Sequence, residues 1–132
     1  MSAENADRVR KLYEAFGRGD VPAVIGAMDP EIVWNEADNF IYAGGNPYIG
    51  PNAVLQGVFL RLGTEWEGFG VSPDNIFDGG DTVIAAGYYT GKFRKTGREV
   101  RAQFAHFFTF RDGKLVKFQQ YTDTAQFKEA VS

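Results

Sequence analysis

The sequence predicts an α+β domain in which a curved antiparallel sheet wraps around N-terminal helices and forms a cone with an internal apolar pocket. Three observations carry that expectation. Apolar residues recur at helical spacing in the first part of the chain, and the period changes to that of strands from Glu65 onward. Phe, Trp and Tyr make up 15% of the 132 residues, more than a small core needs. Such rings either fill a core or line a pocket for an apolar ligand.

The first segment, AENADRVRKLYEAFGRGD, places Val9, Leu12, Tyr13 and Phe16 on one helical stripe, and Gly17 and Gly19 stop it. Asp20 is suited to cap a second short helix, VPAVIGAM, with Pro22 in its first turn. A short strand over Ile32–Glu36 follows, rich in β-branched and aromatic residues. In ADNFIYAGGNPYIGPN, Gly and Pro break any periodicity while Phe40, Tyr42 and Tyr48 stand out, which reads as a long loop of the kind that forms lids. Pro51 opens a third helix over Asn52–Leu62.

Strands are expected over Glu67–Phe77, Thr82–Arg94, Arg98–Phe110 and Lys114–Tyr121. The turns between them, FDGGD, RKTGR and RDGK, are short and contain Gly, so consecutive strands are antiparallel neighbours. A last helix, Ala125–Val131, closes the chain. No repeat, low-complexity tract or linker divides it, so residues 1–132 read as one domain.

Composition narrows the chemistry. Cysteine is absent, which removes disulfides and thiolate catalysis, and a single histidine without cysteine makes a metal site a poor fit. The net charge is −3 with scattered basic residues, so neither nucleic acid nor a polybasic membrane surface is an expected partner. No apolar run approaches the roughly 18 residues of a membrane span, and the polar start MSAENADRVR does not read as a signal peptide. A cytoplasmic setting is expected.

The most informative stretch is FAHFFTFRDGKLVKFQQYTD, residues 104 to 123, which places the one imidazole, His106, in the most aromatic run. A two-residue type I′ turn at Asp112-Gly113 would put His106 on a face with Lys117, Gln119 and Asp123. A bulge with Gly113 in the left-handed region would instead set His106 opposite Phe118, beside Val116 and Gln120. Phe104, Phe108 and Phe110 share His106's face, and Val116 and Phe118 match them better than Lys117 and Gln119 do. The bulged register is therefore expected, with Asp123 opposite Arg101 on the other face unless the strand end twists inward.

GDVPAVIGAMDPEIVWNEA, residues 19 to 37, and the hairpin FAHFFTFRDGKLVKFQQYTD resemble the nuclear transport factor 2-like superfamily. More narrowly they resemble its SnoaL-like polyketide cyclase and ketosteroid isomerase members. The resemblance spans nearly the whole chain and implies the cystatin-like cone. Counting from Gly19-Asp20, Glu36 falls where the steroid isomerases place a general-base carboxylate. His106 falls where they place a protonated aspartate that donates to the substrate oxyanion. The helix-1 tyrosine of that oxyanion hole falls on Leu12, with Tyr13 one residue away and facing differently. Asp123, in QQYTD, is the nearest match to the late acid/base aspartate of the cyclases.

Each candidate also has a chemical rationale. An imidazole on an apolar strand costs free energy unless paired, so His106 is expected to donate an N–H to a developing enolate or carbonyl oxygen. Trp34 shares Glu36's face; if that face is interior, desolvation raises the carboxyl pKa and suits it to abstract a proton beside a carbonyl. Asp123-Thr-Ala-Gln126 also reads as a capping box for the last helix. Gln120 is placed to orient His106 or a ligand. The expected lining is aromatic: Trp34, Tyr42, Tyr48, Phe59 and Trp66 from the first half. Tyr88, Phe104, Phe108 and Phe118 come from the strands.

Together these give a cofactor-free acid/base enzyme of isomerase, cyclase or hydratase type, acting on a small hydrophobic carbonyl compound, with Glu36 or Asp123 moving the proton. The alternative is a non-catalytic protein of the same fold that binds a small ligand. The family implies a homodimer through the outer sheet face, where Gln103, Phe107 and Thr109 lie.

Overall fold

In the computed structural model, which describes residues 2–132, helix α1 (Ser2–Gly17) and helix α2 (Val21–Gly26) lie against a six-stranded sheet. The strands are β1 (Met28–Asn35), β2 (Tyr48–Ile49), β3 (Trp66–Gly79), β4 (Thr82–Phe93), β5 (Glu99–Arg111) and β6 (Lys114–Thr122), in spatial order β2-β1-β6-β5-β4-β3. Every neighbouring pair is antiparallel except β1 and β6, which run parallel. This is the α+β cone the sequence predicts. No helix among the described residues is long and apolar enough to cross a membrane.

Local chemistry explains the boundaries. Gly19, at φ 75, ends α1 in the left-handed conformation, and Asp20 caps α2 by accepting from Ala23 N at 3.2 Å. The third helix is longer than expected and not uniform. It joins α3 (Pro51–Val54), a π-helical turn (Leu55–Phe59) and α4 (Leu60–Glu65). Gly57 lies in that turn, where a Cβ would come within 2.2 Å of the Tyr48 ring; a Cβ at Gly45 would come within 2.4 Å. Tyr48 is thus clasped between two glycines, which no hydrophobic periodicity announces.

The β5–β6 hairpin corrects the expected turn. Asp112 (φ 50) and Gly113 (φ 78) form a two-residue turn with both residues in the left-handed region, and Arg111 pairs with Lys114. The bulge lies farther along, at Val116, which is skipped between the pairs Phe110–Leu115 and Thr109–Lys117. That extra residue restores the face parity, so His106 faces inward with Phe118 and Gln120, directly opposite Gln120. Asp123 pairs its N–H with Gln103 O, two residues from the expected Arg101. Helix α5 (Thr124–Ala130) then folds back, burying Phe127 against Phe40, Trp66 and Tyr89.

Candidate active site

The concave face of the sheet and the helices over it line a partly open cavity of about 70 Å³. Tyr13 and Phe16 of α1, Val58 and Phe59 of the π turn, and Leu62 of α4 form its roof. Trp34, Phe108 and Phe118 supply much of its floor, with Trp34 stacked on Phe118 at a centroid distance of 3.7 Å. Five polar residues interrupt this apolar lining: Tyr13, Glu36, Tyr89, His106 and Gln120.

Glu36 follows the end of β1 and is 3% exposed. Its backbone is held at both polar groups by Asn46: the Glu36 N–H donates to Asn46 Oδ1 at 2.9 Å, and Asn46 Nδ2 donates to the Glu36 carbonyl at 2.8 Å. The long loop therefore supplies, through one amide side chain, the pairing that a neighbouring strand would otherwise give. Trp34 Nε1 donates to Oε2 at 3.1 Å. Burial disfavours the charged form and pushes the carboxyl up to about 7, while the Trp34 bond pulls the other way. No basic side chain among the described residues is paired with Glu36 in an ion pair.

His106 is 5% exposed, and both ring nitrogens are engaged. Nδ1 is 2.7 Å from the Tyr13 hydroxyl, and Nε2 contacts the Tyr89 hydroxyl in a short hydrogen bond. The ring stacks on Phe104 at 4.1 Å between centroids. Burial drives its pKa down to about 3, so the imidazole is neutral near neutral pH. Gln120 Nε2 donates to the Tyr89 oxygen at 2.9 Å, and Gln120 Oε1 accepts the Ala37 N–H at 3.0 Å. Burial raises the pKa of both phenols well above the ordinary tyrosine value; the neighbouring Tyr89 adds to the shift of Tyr13, and Glu36 to that of Tyr89.

Glu36 and His106 thus share one cavity, and Asp123 does not join them. Its carboxylate is exposed, capping α5: Oδ1 accepts from Gln126 N at 3.4 Å and Oδ2 from Gln126 Nε2 at 2.9 Å. The strand end turns outward because the cap must meet the helix N-terminus. Nor does His106 offer a free N–H to a ligand, since two phenols already hold it.

Of the expected lining, Trp34, Phe59, Phe108, Phe118 and Gln120 border the cavity. Phe104 lies behind His106. Tyr42 and Trp66 are buried beside the cavity, where Tyr42 donates to Glu65 Oε1 at 2.7 Å and accepts from Trp66 Nε1 at 3.1 Å. Tyr48 donates to the Tyr42 carbonyl. These three tie the long loop to the core. Tyr88 is on the outer face under Arg101, whose guanidinium carbon is 3.8 Å from the ring centroid.

Tyr13 and Tyr89 were not among the residues expected to act. Tyr89 shares the inward parity of Val83 and Ala85, but Ile84 and Tyr88 make the opposite parity equally apolar, so alternation alone does not choose. Only the pairing of Ala85 with His106 decides it. Tyr13 is about 100° around the helix from Leu12, and a concave sheet touches both.

A family model described as a SnoaL-like domain matches residues 9–118. Among solved structures, an NTF2-like protein from Burkholderia thailandensis E264 is similar over 96% of each chain, with 36% identity and a TM-score of 0.91. An NTF2-like protein of unknown function from Burkholderia pseudomallei K96243 covers 98% of each chain at 27% identity and a TM-score of 0.88. TerC, co-crystallised with polyporic acid, is 22% identical over 97% of this chain and 98% of its own, with a TM-score of 0.85, a likeness of fold alone. No curated protein matches the chain in sequence.

Proposed function

We propose, from the premise that this chain belongs to the SnoaL-like domain family, that its cavity carries out cofactor-free acid/base chemistry on a small, uncharged, apolar carbonyl compound. The observation that carries this reading is a carboxyl, Glu36, buried in one cavity with an imidazole held between two phenols; burial pushes that carboxyl up to about 7. A carboxylate tuned to that range is suited to take a proton from carbon beside a carbonyl near neutral pH.

A proton count supplies the second half. Tyr13, Tyr89 and neutral His106 carry three N–H or O–H protons between them, and two contacts join them. One phenolic O–H is therefore left over for the cavity. As charge develops on the substrate oxygen, that O–H stabilises it, while the apolar walls keep water away. The donor is a phenol backed by His106 rather than the imidazole itself. Trp34 Nε1 and both ends of Gln120 are already bonded, so the free polar atoms favour a ligand with one acceptor oxygen and one acidic C–H. Isomerisation, aldol-type cyclisation and hydration all fit that demand.

The cavity volume of about 70 Å³ favours a compact ligand, and it also supports a second reading, retention of a small molecule without turnover. The co-crystal of TerC with polyporic acid supports a small-molecule ligand for either reading. The two separate by solvent deuterium exchange into a panel of enolisable ketones. Exchange by the wild-type protein that is lost in Glu36→Gln supports catalysis; equal exchange by both removes Glu36 as the base. Binding detected by thermal shift without exchange favours retention.

We also propose a homodimer through the outer sheet face, where Phe77 and Tyr121 are each 54% exposed and Gln103, Phe107 and Thr109 lie nearby. Sedimentation showing only monomer at high concentration would exclude it.

A further inference from the structure

We propose that Gln120 and Tyr89 are positioning residues that hold His106 as its Nδ1–H tautomer, so that Tyr13 is the residue presenting an O–H to the ligand oxygen. The inference rests on the acid/base reading of the same cavity and assigns a direction to its hydrogen bonds.

The direction starts at the main chain. The Ala37 N–H can only donate, so the Gln120 atom it meets at 3.0 Å is the amide oxygen. The other end of that amide, Nε2, then faces the Tyr89 oxygen at 2.9 Å and donates to it. Among the described residues, the Tyr89 oxygen has one other hydrogen-bond partner, His106 Nε2. With Gln120 donating in, Tyr89 completes its bonding by giving its proton to Nε2, which then carries the lone pair. A neutral imidazole then holds its proton on Nδ1 and gives it to the Tyr13 oxygen at 2.7 Å. The Tyr13 oxygen accepts, and its own O–H turns to the cavity that Tyr13 lines.

The reverse direction is less favourable for a specific reason. It puts the leftover O–H on Tyr89, which also lines the cavity but is 5% exposed, and whose oxygen would then accept from both Gln120 Nε2 and His106 Nε2 with no protein acceptor for its own proton among the described residues. Tyr13 is only partly buried, so its free O–H meets water or ligand at the cavity. Titration does not blur the choice, because burial keeps His106 neutral well below neutral pH. The relay also has an economy of placement: Ala37 anchors it, and the adjacent Glu36 is the proposed base. Two adjacent residues after β1 thus hold both halves of the site.

The chain contains a single histidine, so ¹⁵N-histidine labelling gives one imidazole and an unambiguous long-range ¹H–¹⁵N spectrum. The expected result at neutral pH is a pyrrole-type Nδ1 and a pyridine-type Nε2. A pyridine-type Nδ1 with the proton on Nε2 would overturn the proposal. In Gln120→Met, which lacks the donor to Tyr89, the Nδ1–H form is expected to lose its majority; an unchanged tautomer would remove Gln120 from the relay. If that variant does not fold, the wild-type spectrum alone still decides the direction. These spectra do not depend on turnover. An Nδ1–H spectrum without deuterium exchange keeps the relay and rejects the acid/base reading, whereas exchange with an Nε2–H spectrum does the opposite.

Discussion

Replacing Glu36 by Gln should make the protein more resistant to unfolding at high pH than the wild type, by an amount that shrinks as the pH is lowered. The carboxyl is pushed from 4.5 to about 7 by burial, so the native state holds its proton over a window in which the unfolded chain has released it. The sign follows from the raised value. The stability that Glu36 contributes is fully present below about pH 4.5 and is lost as the pH rises through about 7. At about 1.4 kcal/mol per pKa unit, the loss over that window is about 3 kcal/mol. Gln accepts from Trp34 Nε1 as Glu36 does but does not titrate, so subtracting the two unfolding curves isolates this one group. The assay is urea unfolding of both proteins, followed by tryptophan fluorescence at pH steps across that window. A stability difference that stays flat, within about 0.5 kcal/mol, would refute the reasoning by showing that Glu36 is solvated.

Other consequences are equally open to measurement. Gly57→Ala drives a Cβ to within 2.2 Å of the Tyr48 ring and should cost about 1–3 kcal/mol; a thermal melt matching wild type would contradict the clasp. Asp123→Ala should lose an N-cap worth about 1 kcal/mol while leaving deuterium exchange unchanged, and a variant of wild-type stability that cannot exchange would return Asp123 to the site. Tyr89→Phe leaves His106 Nε2 and Gln120 Nε2 without their shared partner, at a cost of about 1–3 kcal/mol in denaturant unfolding. For His106 the sign is opposite to that for Glu36. Its pKa is lowered from 6.5 to about 3, so its contribution is present above 6.5 and lost as the pH falls, and His106→Gln should flatten the acid limb of the stability curve.

The fold was legible because several local signals agree. The Val9, Leu12, Tyr13 and Phe16 stripe, the Asp20 cap and the glycine turns between strands each specify an element without help from the rest of the chain. The parallel pairing of β1 with β6 was not legible, since it joins segments some eighty residues apart with no turn to mark it. The inward face of His106 is legible in the sequence, but the device that sets it is not. Aromatic matching identified the face, but the bulge belongs to Val116 and not to the turn. Glu36 was visible through its shared parity with Trp34. Tyr89 was not, because β4 is apolar on both faces and tertiary pairing alone selects one. Tyr42, Tyr48 and Trp66 show the limit from the other side: an aromatic residue in a loop looks like lining, yet hydrogen bonds can commit it to holding the loop down.

The central claim, that a desolvated Glu36 moves a proton in this cavity, is tested most directly by the pH dependence of deuterium exchange into an enolisable ketone. The account predicts a rate that rises with pH to a plateau, with a midpoint at about 7, and that disappears in Glu36→Gln. A midpoint near 4.5, or a profile unchanged by the substitution, would contradict it.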